Sequence, residues 1–123
     1  MRKLLVLTLF AFFTLSSTSQ NFKFPMDLRP VYLSANFGEL RPNHFHSGVD
    51  MKTDKVEGKI VRAIDTGYVS RIQISAWGYG HVLYVTHPSG YTSVYAHLKA
   101  FQPFIDSVVK AYQYEKKVNQ FDI

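Results

Sequence analysis

His46 and Asp50 stand in the run Asn43-His44-Phe45-His46-Ser47-Gly48-Val49-Asp50. They carry an imidazole nitrogen and a carboxylate oxygen, two donor types that bind zinc when each approaches to about 2.0–2.2 Å. On a fully extended strand their α-carbons would lie about 13 Å apart, too far to share one ion, so the chain must bend between them. Ser47-Gly48 supplies the bend, because glycine reaches backbone conformations that other residues avoid and leaves room for an ion or a substrate. Spacing alone is equally compatible with a surface loop that happens to hold a histidine and an aspartate. A second candidate is His97, in Val94-Tyr95-Ala96-His97-Leu98. An imidazole there could move protons in a reaction or could be an ordinary structural side chain.

The elements that must position these groups read mainly as β. Turn signals recur at Glu57-Gly58, Asp65-Thr66-Gly67, Trp77-Gly78-Tyr79-Gly80 and Pro88-Ser89-Gly90. Between them lie stretches rich in Val, Ile and Tyr, which predict short strands over 59–64, 68–74, 81–86 and 91–97 in an antiparallel meander. Polar and apolar residues partly alternate in 60–64 and 69–74, as on a sheet with one wet face. From Pro103 the period changes. Phe104, Ile105, Val108, Val109 and Tyr112 mark one face of a helix over 103–117, with the proline where a first turn tolerates it. Residues 118–123 read like the entry to another strand that is never completed.

The first twenty residues belong to a different class of signal. Met1, Arg2 and Lys3 precede an apolar run over 4–15 and then Ser16, Ser17, Thr18 and Ser19, the order of a secretory signal peptide cleaved near Ser19 or Gln20. A bilayer span needs about 20 predominantly apolar residues, more than this run supplies, so no stable membrane anchor is expected after cleavage. The chain has no cysteine and therefore neither a disulfide framework nor a thiol to lipidate. Loss of Arg2 and Lys3 leaves residues 21–123 only mildly basic. No Lys/Arg run is dense enough for a nucleic-acid surface, Lys116-Lys117 being the closest pair. One small domain is expected, of marginal stability, exported to the periplasm or the extracellular cell wall.

Taken in order, Phe37-Gly38-Glu39-Leu40-Arg41, His46-Ser47-Gly48-Val49-Asp50, Gly67-Tyr68-Val69, Trp77-Gly78-Tyr79-Gly80-His81, His87-Pro88-Ser89-Gly90-Tyr91 and Tyr95-Ala96-His97-Leu98 resemble the lysostaphin-type zinc metallopeptidases. These form family twenty-three of the metallopeptidases, and the resemblance runs from about residue 34 to 101. It implies an antiparallel β fold whose groove holds Zn2+ through His46 and Asp50, a catalytic role for His97, and hydrolysis of peptide bonds in peptidoglycan stems or cross-bridges.

The family takes its third protein ligand from a later His-x-His motif, and no histidine follows His97 here. The expectation is an incomplete domain that binds zinc weakly, hydrolyses little by itself, and has a sheet edge open to a missing C-terminal segment. His44 is read as a rim residue, His81 and His87 as exposed structural residues at hairpin ends, and Asp122 as a carboxylate with no assigned place. Two rival readings stand beside this one. A non-catalytic peptidoglycan-binding or regulatory relative would keep the groove without a working metal site. A lipoyl or biotinyl carrier is suggested by Thr53-Asp54-Lys55-Val56-Glu57-Gly58-Lys59-Ile60, with Lys55 as the modified residue.

Overall fold

Tyr-Val-Ser-Arg-Ile-Gln-Ile forms a strand over Tyr68–Ile74, as its β-branched and aromatic content predicts, and the rest of the domain is arranged around it. The computed structural model describes residues 21–123, so the expected signal peptide lies outside the described residues. Seven elements follow in order: β1 (Leu33–Ala35), β2 (Asp50–Met51), β3 (Tyr68–Ile74), β4 (His81–Thr86), β5 (Thr92–Tyr95), α1 (Pro103–Lys116) and β6 (Phe121–Asp122). Strands β1 and β2 form an antiparallel pair, and the other four make a sheet of order β5-β4-β3-β6. Among the described residues the fold is mainly antiparallel β with a single helix near the C-terminus, the class expected from the sequence.

The two central hairpins owe their geometry to glycines. Between β3 and β4, Gly78 and Gly80 take left-handed φ values of 72° and 66°, and Ser75 N–H donates to the Gly80 carbonyl at 3.1 Å. Between β4 and β5, Gly90 at φ 84° lets its N–H and that of His87 close the turn at 2.9 Å each. Opposite Val85 and Tyr84, β3 carries one extra residue, Ser70, a bulge that turns Val69 onto the same face as Ile72 and Ile74.

That face meets the helix. Ile72, Ile74, Phe101 and Val109 are buried together, with Leu83, Leu98, Ile105 and Phe121 packed against them. Burying a side chain such as Val109 contributes about 1.5–3 kcal/mol. The helix starts where Pro103 occupies its first turn and the Gln102 side chain accepts from Phe104 N–H and Ile105 N–H at 2.7 and 3.1 Å. It ends at Lys117, in the left-handed conformation at φ 54°. Among the described residues no helix is long and apolar enough to cross a membrane.

Three local expectations change. Residues 59–64 do not form a strand; only Val61 bridges to Met26, and Arg62 N–H donates to the Pro25 carbonyl at 2.8 Å. Apolar type was misleading there, because Ile60 stays 67% exposed with no facing layer to bury it. Two residues of the expected helical stripe also turn outward: Ile105, Val109 and Tyr112 face the sheet side, whereas Phe104 and Val108 are 71% and 44% exposed. Residues 121–122 do complete a strand. β6 pairs antiparallel with β3 through Gln73↔Asp122 and Ile74↔Phe121, and Ile72 and Ile123 exchange backbone bonds of 2.8 and 3.0 Å.

Candidate functional site

The segment leading to His46 is a small hairpin that the strand pattern did not reveal. Leu40 bridges Phe45, Arg41 N–H donates to the His44 carbonyl at 2.9 Å, and His46 N–H donates to the Glu39 carbonyl at 2.8 Å. Gly38, at φ 75°, donates in return to the His46 carbonyl at 2.7 Å. Pro42-Asn43 sits at its tip, a pair suited to a tight turn. After the bend at Ser47-Gly48, Asp50 opens β2 opposite Ala35. The two candidate ligands thus ride on different pieces of backbone, each fixed by its own hydrogen bonds.

Their side chains converge. His46 Nε2 lies 3.3 Å from Asp50 Oδ1. On the other side of the ring, Nδ1 lies 3.0 Å from the Asn36 carbonyl, which can only accept, so Nδ1 carries a proton, and in the neutral ring Nε2 presents its lone pair to the carboxylate. Two lone-pair-bearing atoms at that distance call for a proton or a cation between them. Donors about 2.0–2.2 Å from one ion at the tetrahedral angle are themselves about 3.3–3.6 Å apart, so the pair fits a shared zinc ion. A side chain at Gly48 would point at this opening, since a Cβ built there meets His46 Nε2 at 3.9 Å and nothing nearer.

Arg41 completes the pair's surroundings. Its Nη2 lies 3.3 Å from Asp50 Oδ2 and 3.7 Å from Glu39 Oε1. The other oxygen of Glu39 accepts from Asn36 N–H at 3.2 Å, so Glu39 joins the guanidinium to the residue that holds the His46 ring.

His97 lies in the loop that follows β5. Its own backbone is left-handed at φ 54°, which ends the strand before it, and its N–H donates to the Tyr79 carbonyl at 2.9 Å. Tyr79 meets the His97 ring edge-on, 6.4 Å between centroids, and its hydroxyl lies 3.2 Å from Ser47 Oγ. One residue therefore links the His97 loop to the loop bearing His46. Asn36, Arg41 and Tyr79 escaped sequence reasoning as site residues. Their signal was present only indirectly, Arg41 in the Phe37–Arg41 motif and Tyr79 between two glycines.

The remaining histidines have other places. His44 is exposed, with Nδ1 2.7 Å from Asn43 Oδ1. His81 packs its ring 5.3 Å from that of Phe101. His87, expected to be exposed, is only 3% exposed, with Nδ1 2.8 Å from the Thr66 carbonyl and Nε2 2.8 Å from Ser93 Oγ. Asp122 is taken by Arg71. Among the described residues no three His, Cys, Asp or Glu side chains converge as a metal-binding group, so the pair of His46 and Asp50 stands by itself.

The β domain thus brings one imidazole and one carboxylate together at His46 and Asp50, and sets a second imidazole, His97, beside Tyr79. Comparison with known families says what kind of domain this is: the model described as peptidase family M23 matches residues 44–117, more than half of the chain, and the chain belongs to that family. No curated protein and no solved structure gives a match. The family match runs across Lys55, where Asp54 and Lys55 form a left-handed turn tip, and so places the carrier-like segment within the peptidase domain.

Proposed function

We propose that this peptidase is a zinc-dependent endopeptidase of bacterial peptidoglycan, with His46 and Asp50 as zinc ligands and His97 as the catalytic imidazole. The observation that carries the reading is the 3.3 Å approach of His46 Nε2 to Asp50 Oδ1, with the opposite ring nitrogen already committed to a carbonyl. Zinc held by His46 and Asp50 would supply Lewis acidity toward a scissile carbonyl and its attacking water.

The chain's own residues do the rest. Hydrolysis adds water across the peptide C–N bond, so a proton must leave the attacking water and another must reach the departing amine. His97, on the loop that Tyr79 links to Ser47, is the imidazole suited to hold or pass such a proton, or to donate to the developing oxyanion. Tyr79 holds the His97 loop in place, and Asn36 fixes which His46 nitrogen is free. A peptide of the cell wall is the substrate class, which agrees with the secretory pattern of the first twenty residues and with action in the periplasm or the extracellular wall.

The test compares the 123-residue chain with a version extended by the His-x-His segment of a family member, assaying peptide release from purified sacculi. Chelator-sensitive release by the extended form, lost in His46→Ala and Asp50→Ala, is the expected result. An extended form that folds and binds sacculi yet releases nothing overturns the enzymatic reading in favour of a non-catalytic wall-binding relative.

A further inference from the structure

The two oxygens of Asp50 are divided between different neighbours. Oδ1 faces His46 Nε2 at 3.3 Å, and Oδ2 faces Arg41 Nη2 at 3.3 Å. A carboxylate free to rotate could offer both oxygens to an ion or turn away from it. With one oxygen drawn to a guanidinium, it offers only the other.

Arg41 is well placed to impose that choice. Its backbone is fixed in the hairpin by the bond to the His44 carbonyl at 2.9 Å, one residue beyond the Leu40–Phe45 bridge. Glu39 Oε1 lies 3.7 Å from the same Nη2. Its Nε is buried without an acceptor, so nothing else competes for the orientation of the guanidinium at that end. We propose that Arg41 is the positioning residue that fixes Asp50 as a one-oxygen zinc ligand aimed at the same point as His46 Nε2. This rests on the reading of His46 and Asp50 as ligands.

The proposal separates from a simple charge effect by sign. A cation beside a ligand carboxylate repels zinc, so if charge were all that Arg41 contributed, removing it would tighten zinc binding and Arg41→Lys would change nothing. Positioning predicts the opposite. Loss of an outer hydrogen-bonding partner of a metal ligand weakens metal affinity about 10–100-fold, and lysine, lacking the planar guanidinium, restores it incompletely.

Zinc is titrated into the full chain and into Arg41→Met and Arg41→Lys, following the imidazole nitrogen shifts of His46 by NMR. Dispersed amide spectra in the absence of metal establish that each variant is folded, and Arg41→Lys keeps the test open should the methionine variant fail to fold. Weakening of about 10–100-fold in Arg41→Met, or loss of detectable binding, with a smaller loss in Arg41→Lys, is expected. Unchanged or tighter binding in either folded variant overturns the role of Arg41 alone. A wild-type chain whose His46 shifts ignore zinc overturns the ligand reading and this inference with it.

Discussion

Tyr79 and Ser47, 32 residues apart in the chain, meet through their hydroxyls at 3.2 Å. Because the Tyr79 carbonyl also accepts the His97 N–H, this contact joins the two loops that carry the proposed chemistry. Tyr79→Phe removes only the hydroxyl and should cost about 0.5–1.5 kcal/mol at most, whereas Tyr79→Ala also removes the edge contact with His97. In the form extended by the His-x-His segment, for which hydrolysis is proposed, the alanine variant should lose about 10–100-fold in turnover while binding zinc normally, since small misplacement of a reacting group has costs of that size. Thermal melts, zinc titration and sacculus assays read the three effects separately. Wild-type turnover in Tyr79→Ala would show that the link between the loops is not needed.

Substitutions at the site itself should divide into two kinds. His46→Ala or Asp50→Ala removes a ligand and should abolish zinc binding and hydrolysis together, whereas His97→Ala should retain zinc and lose about 10²–10⁴ in turnover. Equal zinc loss in all three variants would make His97 a ligand instead.

Buried His87 is the strongest structural case among the histidines. Its Nδ1 must donate to the Thr66 carbonyl, so in the neutral ring Nε2 accepts from Ser93, whose oxygen lies 2.9 Å from the Tyr95 hydroxyl. Tyr95 in turn accepts from Ile64 N–H at 2.9 Å, which ties the turn before β3 to β5. Gly67 lies against this group: a Cβ there would meet the Thr86 carbonyl at 2.5 Å and His87 Nδ1 at 3.0 Å. His87→Ala leaves several polar atoms without partners and opens a cavity, so a loss of about 2–4 kcal/mol is expected. Gly67→Ala should lose about 1–3 kcal/mol through overpacking. Denaturant unfolding measures both, and a loss below about 0.5 kcal/mol for His87→Ala contradicts the account.

The elements that the sequence made legible are those whose own residues specify them. Strands β3 and β4 and the start of α1 appear where β-branched runs, paired glycines and Pro103 place them. What was not legible depends on partners distant in sequence. Residues 59–64 have the composition of a strand but make only a bridge to Met26 and single backbone bonds to Lys23 and Pro25. Phe104 and Val108 continue the helical period, yet the sheet is reached only by the stripe through Ile105 and Val109. At the site, donor types and the bend at Ser47-Gly48 could be read directly, because ligand chemistry is carried by side-chain identity. Arg41 and Asn36 could not, since their parts arise from a guanidinium reaching Asp50 and a backbone carbonyl reaching His46.

The seam between β3 and β6 should weaken in acid, and the ion pair across it sets the range. Arg71 holds the Asp122 carboxylate by side-chain hydrogen bonds and by charge, which keeps its pKa below the ordinary 3.8 against the opposing effect of desolvation. A carboxyl whose pKa is depressed on folding contributes stability that is fully present above its ordinary value and disappears as pH falls through the folded value. Below about pH 4 the contribution should therefore fade, and β6 has only two residues of ladder to resist fraying. The guanidinium of Arg71 also sits 4.6 Å from the centre of the Tyr84 ring, a contact that does not depend on Asp122, so β3 and β4 should stay paired. Amide exchange at Ile72 and Ile123, which bond to each other across the seam, should accelerate between pH 4 and 2 after correction for intrinsic rates, more so at low salt. Asp122→Asn should exchange faster already at neutral pH and show little further change in acid. If wild type and Asp122→Asn respond to acid alike, another carboxylate governs the seam.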